Sequence, residues 1–309
     1  QINQYAAQIA TINGEIRQGG AGDAGLQTQL YNTLEQLSNL APISVRTESD
    51  GTATVLLGGQ APLVLGQTAN TLALSYAADP SPTYPGGAPA AQLLTSDGQD
   101  VTALATAGQL GALLQFRNAT LPSVIGSGEQ QGSLNQLAQG IADRVNTLLT
   151  SGQTSSGAAG VALFSYNASS LTAAASSLAV SPSISASQLA ASDPGPPVAA
   201  NGIASELAQL ASPQSPADEL SGLSYTDFYS NLAAGIGQQA SSATTAQQTQ
   251  SQLLTQAQSA RAQSSGVSLN DQATQLLEFQ QGYQAAAQVI SVINNITQSL
   301  LTTMQDLQG

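Results

Sequence analysis

Two apolar seams, one near each end of the chain, limit what it can fold into more than any other feature. From Leu276, steps of three and four residues lead through Phe279, Tyr283, Ala286, Ile290, Ile293, Thr297, Leu300, Met304 and Leu307, and only Thr297 is polar. Ile2, Tyr5, Ile9, Ile12 and Ile16 step in the same way at the other end. Apolar positions that recur at this mean spacing share one face of an α-helix, and sustained over several heptads they form a coiled-coil-like seam. Ser268 with Asp271 three residues on reads as a capping box that starts the terminal helix. Such a helix is about 60 Å long, beyond the usual three or four turns, and needs a partner. Its other face carries Gln, Asn, Ser and Thr, with Glu278 as its only ionised group between Asp271 and Asp306. An uncharged flank suits packing between identical subunits, so Leu276, Phe279, Tyr283, Ala286, Ile290, Ile293, Leu300, Met304 and Leu307 are expected to form an assembly surface. The plainer reading is a bundle helix packed within its own domain. Seams at both ends are expected to pair antiparallel in one bundle.

Composition narrows the function classes. Charged residues make up only 7%, and 18 acids against five arginines leave a net charge of −13. Nothing can neutralise a run of phosphates, so neither nucleic acid nor an anionic membrane surface is an expected partner. There is no Cys, His, Lys or Trp. The chain therefore has no disulfide, thiolate metal site, imidazole base, Schiff-base amine or P-loop lysine. No apolar run marks a membrane span and no signal-peptide pattern is present. The chain does not begin with Met and starts already in helical phase, so it reads as a fragment of a longer protein.

Along the chain, residues 1–40 read as helices. Gly19, Gly20, Gly22 and Gly25 mark a loop between the first seam and a second helix, which has Asp23 as its cap and Leu26, Leu30, Leu34 and Leu37 on one face. From Pro42 the period drops to two, with turn signals at Asp50-Gly51 and Gly58-Gly59, which predicts one antiparallel meander over 43–76 within a β-rich region, 41–105. Pro80, Pro82, Pro85 and Pro89 make 79–90 a loop. Residues 106–150 return to helical phase, with Leu134, Leu137, Ile141, Val145 and Leu148 facing one way. Residues 151–200 are Ser-, Ala-, Gly- and Pro-rich and weakly β, anchored by Leu163-Phe164 and Leu178-Ala179-Val180. Within 201–309 a very long helix from Tyr225 to Ser264 precedes the turn at Gly266 and the terminal seam. The fold class is mainly α with a smaller β part: an elongated bundle of long helices from both chain ends plus an inserted antiparallel β-meander.

Chemistry-bearing alternatives are weak. Glu48/Asp50 and Asp97/Asp100 are carboxylate pairs without EF-hand spacing, in turn-like sequence where Asp serves its own hydrogen bonding. The Gly19–Gly25 stretch lacks the strand and lysine of a phosphate loop. No cofactor or metal site is expected.

The runs 265–271, Ser-Gly-Val-Ser-Leu-Asn-Asp, and 276–290, Leu-Leu-Glu-Phe-Gln-Gln-Gly-Tyr-Gln-Ala-Ala-Ala-Gln-Val-Ile, resemble the C-terminal signature of flagellar axial proteins. The stretches 110–117, 134–138 and 146–148, with Asp50-Gly51-Thr52 and Gly58-Gly59-Gln60, narrow the resemblance to the hook-associated protein 1 family, which acts at the hook–filament junction. The family's N-terminal axial helix is missing, and a large inserted domain of some members is replaced between Phe164 and Leu178 by about a dozen residues. The resemblance implies a non-enzymatic, secreted subunit of the bacterial flagellum and an adaptor between hook and filament. Its implied partners are copies of itself, the hook protein, the second junction protein and an export chaperone. The alternative is a secreted adhesin or surface stalk protein whose β-region binds a ligand. A hydrolase using Ser and carboxylates alone is disfavoured by the missing base.

Overall fold

The structure, a computed structural model, describes residues 1–20, 22–77, 81–265 and 280 of the 309. The chain divides into two compact units, Gln1–Ala234 and Gly235–Gly309.

The first unit is built on the amino-terminal seam. Helix α1 (Ile2–Glu15) buries Ala6, Ile9, Ala10 and Ile12, and Ile16 is buried in the wide turn Ile16–Gly20 that follows. In α2 (Ala24–Leu40) the buried face is Leu30, Thr33, Leu34 and Leu37. The Asp23 carboxylate accepts from the Gly25 and Leu26 amides at 2.7 and 3.2 Å, which caps donors that the helix start would otherwise leave unpaired. Strands β1 (Ile43–Thr47), β2 (Ala53–Leu57), β3 (Ala61–Leu65) and β4 (Thr68–Ala69) follow as one antiparallel sheet in that order. The tight turn between β1 and β2 is closed by the Gly51 amide donating to the Glu48 carbonyl at 3.0 Å, with Gly51 at φ +84°. Ala53, Val55 and Leu57 alternate inward along β2 and meet the inner faces of α1 and α2. Each fully buried Ile, Leu or Val here contributes roughly 1.5–3 kcal/mol.

Two expectations change. The strand over Leu72–Ala77, β5, does not extend the meander. It pairs antiparallel with β6 (Ala90–Thr95) in a separate two-stranded sheet, with Tyr76 opposite Ala91 and Leu74 opposite Leu93. The prolines lie in the hairpin connection, and β6 itself has no turn residue to announce it. The seam of α1 packs on α2, β3 and β4 among the described residues, and the carboxy-terminal seam expected to pair with it lies outside them. Ile16–Gly20 also continues from the helix rather than opening a loop, and only Gly19, at φ +116°, leaves helical geometry.

Helix α3 (Gly108–Gln115) continues through a wide turn, Phe116–Thr120, into α4 (Leu121–Ile125), and α5 (Ser133–Ser151) follows. The deepest residues of α5 are Asn135, Ala142, Leu148 and Leu149. Asn135, Ala142 and Leu149 lie seven apart and are offset by one residue from the expected line through Leu134, Leu137, Ile141, Val145 and Leu148, of which only Leu148 is buried. The two anchors of the weakly β region pair with each other, β7 (Phe164–Ser165) with β8 (Ala179–Val180), and α6 (Ala174–Ser177) lies between them in sequence. Helix α7 (Gly202–Gln209) closes a smaller core of Leu148, Leu149 and Ile203. Helix α8 spans Tyr225–Ser265.

In a chain so poor in charge, asparagine amides tie helices to strands. Asn13, fully buried on α1, donates to the Ala53 and Gly66 carbonyls at 2.8 and 2.6 Å and accepts from the Ala53 amide at 2.8 Å. Asn3 makes the same two-way bond with Leu72, Asn118 with Ala91 and Asn146 with Phe164. Each side-chain amide presents a donor and an acceptor as a neighbouring strand would, and so satisfies backbone groups that no strand pairs at that residue.

Candidate assembly surface

The expected seam residues Leu276, Phe279, Tyr283, Ala286, Ile290, Ile293, Leu300, Met304 and Leu307 lie outside the described residues. The element that precedes them, α8, is described over its full 41 residues.

The root of α8 is fastened within the first unit. Arg144 on α5 donates through Nε to Asp218 at 2.7 Å, with the two side chains only 21% and 12% exposed. The Tyr225 hydroxyl donates to the Gly140 carbonyl at 3.2 Å, and burial pushes its phenol pKa up. Ser224 and Asp227 cap the helix start reciprocally: the Ser224 hydroxyl donates to the Asp227 carboxylate at 2.8 Å and accepts from the Asp227 amide at 3.0 Å. Beside this cluster the Tyr166 hydroxyl donates to Asp143 at 2.9 Å, and burial followed by that carboxylate raises the phenol.

Beyond the root, the described side chains from Ala233 to Arg261 are all exposed, Ile236, Leu253 and Leu254 among them. Asp227 and Arg261 are the only ionisable groups in the helix apart from its tyrosines. Thr244, Thr245, Thr249 and Thr255 return their hydroxyls to the carbonyls four residues back, which satisfies the hydroxyls without adding a lateral contact. Most helical stability in proteins comes from packing an apolar face, and a polar helix of this length stands alone only with many ion pairs along it.

The other candidates are committed elsewhere. Asp50 accepts from the Thr52 hydroxyl and amide at 2.6 and 3.0 Å and pairs with Arg17 at 3.0 Å, and these bonds, the hydroxyl's first, hold it down at about 2. Glu48 is paired with Arg46 at 3.1 Å. Asp97 is held below its ordinary value by the Thr95 hydroxyl and Asp100 by that of Thr102. Carboxylates held ionised in this way are poor general acids at neutral pH. No group of three or more acidic residues able to hold a metal occurs among the described residues. No described helix is long and apolar enough to cross a membrane. An open cleft of about 350 Å³ beside the β5–β6 hairpin is lined by Arg117 and Asn118. Asn118 is spent on Ala91, while Arg117 donates to the Pro89 carbonyl at 2.9 Å and lies 6.0 Å from the centre of the Tyr76 ring.

Comparison with known proteins agrees with the sequence motifs. The family described as flagellar hook-associated protein FlgK helical domain matches residues 1–164, just over half the chain, and the flagellar basal body rod FlgEFG protein C-terminal family matches residues 258–303. The chain is 30% identical over 174 residues to flagellar hook-associated protein 1 of Escherichia coli and 31% identical over 172 residues to that of Salmonella typhimurium, in each case across 53% of this chain and 29% of the relative. The flagellar hook junction protein FlgK of Burkholderia pseudomallei superposes on 54% of this chain and 29% of its own at a TM-score of 0.44 and 30% identity. The chain thus spans under a third of the length of the relatives it matches.

Proposed function

This chain belongs to the flagellar hook-associated protein FlgK family, and on that premise we propose that it is a non-enzymatic structural subunit polymerising at the hook–filament junction, an adaptor between hook and filament. The observation that carries this reading is α8: a 41-residue helix, fastened at its root, nearly uncharged, and exposed from Ala233 to Arg261 among the described residues. In sequence it leads directly to the heptad seam from Leu276 to Leu307, which serves as the contact between subunits. The partners are copies of the chain, the hook protein, the second junction protein and an export chaperone, and the place of action is the extracellular flagellum.

The test replaces Ile290→Asp and Ile293→Asp in the full-length protein and asks whether it still enters the flagellum. Each buried Ile forfeits roughly 1.5–3 kcal/mol, and an unpaired carboxylate in its place adds a desolvation penalty, so every contact in the layer is weakened. Cells are expected to secrete a folded variant, build no stable junction and shed filament subunits into the medium. Normal filaments on an intact junction would overturn the assignment of this seam.

A further inference from the structure

The step Asn-Gly occurs at Asn13-Gly14 and again at Asn201-Gly202, and the fold treats the two in opposite ways. The side-chain carbonyl carbon of an asparagine can close a ring with the backbone nitrogen of the next residue, and glycine, with no Cβ, shields that nitrogen least. Closure requires the chain to turn about the Cα–C bond of the asparagine and the nitrogen to leave its hydrogen bond. Asn13 is locked against this. It is fully buried within α1, and its amide holds Ala53 through bonds of 2.8 and 2.8 Å and Gly66 through one of 2.6 Å. Turning it towards Gly14 breaks all three and strands the Ala53 backbone groups in the core.

Asn201 is the reverse case. It is exposed, it heads α7, and its side chain makes no capping bond to the helix. The Gly202 amide gives a long bond of 3.2 Å to the Ala199 carbonyl, and the Asn201 carbonyl accepts from the Ser205 amide at 3.0 Å. Fraying of the first turn of the helix releases both. Packing nevertheless demands the glycine, because a Cβ at 202 would lie 2.6 Å from the Cβ of Asp193. The close approach of α7 to the 193–199 loop thus fixes the residue that makes the step labile.

We propose that Asn201 is a site of spontaneous deamidation, converting to aspartate and isoaspartate in the folded protein while Asn13 stays intact. The Gly202 nitrogen gives its proton to hydroxide and attacks Cγ of Asn201. A C–N bond forms, the bond from Cγ to Nδ2 breaks, and the departing nitrogen takes up a proton and leaves as ammonia. Water then opens the cyclic imide at one of its two carbonyls. Attack at Cγ restores the original main chain and gives aspartate, whereas attack at the backbone carbonyl leaves Gly202 joined through Cγ and gives isoaspartate. Aspartate puts a carboxylate at the start of α7, where the free helix amides favour it. Isoaspartate adds a methylene to the main chain there and displaces a helix whose Ile203 closes the core with Leu148 and Leu149. This chemistry is independent of the junction function.

The test ages the folded chain at mildly alkaline pH, below its unfolding transition, and follows the peptides containing Asn13 and Asn201 by mass spectrometry. The Asn201 peptide is expected to gain the mass difference between an amide and a carboxylic acid, to split into two chromatographic species, and to convert roughly tenfold or more faster than the Asn13 peptide. In urea, where burial no longer separates the two steps, the rates should converge. Asn201→Ser keeps a capping side chain and cannot cyclise, and should abolish both the mass gain and any rise in amide exchange over 202–209 on ageing. Equal rates in the folded chain, or an intact Asn201 there while the urea control converts, overturns the proposal. A rate ratio unchanged in urea overturns it too, by assigning the difference to flanking residues rather than to the fold.

Discussion

Replacing Asn13 by Ala deletes three hydrogen bonds at a fully buried position, and its cost can be set against a natural control. Two of the three groups orphaned are the amide and carbonyl of Ala53, a residue only 1% exposed, so neither can turn to water. A buried backbone group left unpaired costs roughly 1–3 kcal/mol, which gives about 2–6 kcal/mol for the pair. The Gly66 carbonyl, at a part-buried site, adds less. Asn3→Ala removes the same two-way bond from Leu72, but at the exposed start of α1, where water replaces the amide and the loss stays under about 1 kcal/mol. Against a domain stability of roughly 5–15 kcal/mol, the first change takes a large share and the second very little. Urea unfolding followed by circular dichroism, with both variants compared to the parent at constant slope, measures the difference. Equal losses for Asn3→Ala and Asn13→Ala would refute the argument that burial, rather than the number of hydrogen bonds, sets the cost.

Arg144→Leu should leave the Asp218 carboxylate largely buried without its cation and destabilise the root of α8 by roughly 2–4 kcal/mol, and adding Asp218→Leu should recover much of that loss. Faster amide exchange over 225–234 in the single variant, and slower exchange in the double, is the check. Asp50 lies at about 2, below its ordinary 3.8, so it is depressed on folding and its stabilising contribution is complete above 3.8 and lost as pH falls from there towards 2. Asp50→Asn should remove that part of the acid-induced loss, and unchanged steepness of the acid unfolding limb across this window would contradict it.

Local signals were legible in the sequence because their physics is local. A cap such as Asp23 acts within three residues, the turn at Gly51 within four, and heptad spacing within one helix, so α1, α2, the β1–β2–β3 order and the length of α8 all follow from short stretches of chain. In the weakly β region the two apolar anchors were legible, and their pairing with each other came only with the fold. Periodicity, however, says which side of an element is apolar and nothing about what covers it. The seam of α1 found α2 and the sheet, and β5 left the meander for β6, because strand pairing joins residues far apart at a loop-closure cost that no short window contains. The asparagine ties were invisible for the opposite reason. An Asn in sequence reads as a surface, cap or turn residue, and only the folded chain decides that Asn13 is buried and that Ala53, forty residues on, lies where its amide can bond. The two Asn-Gly steps are likewise equivalent in sequence, and only the folded chain separates them, because what packs on each helix buries Asn13 and leaves Asn201 exposed at the start of α7.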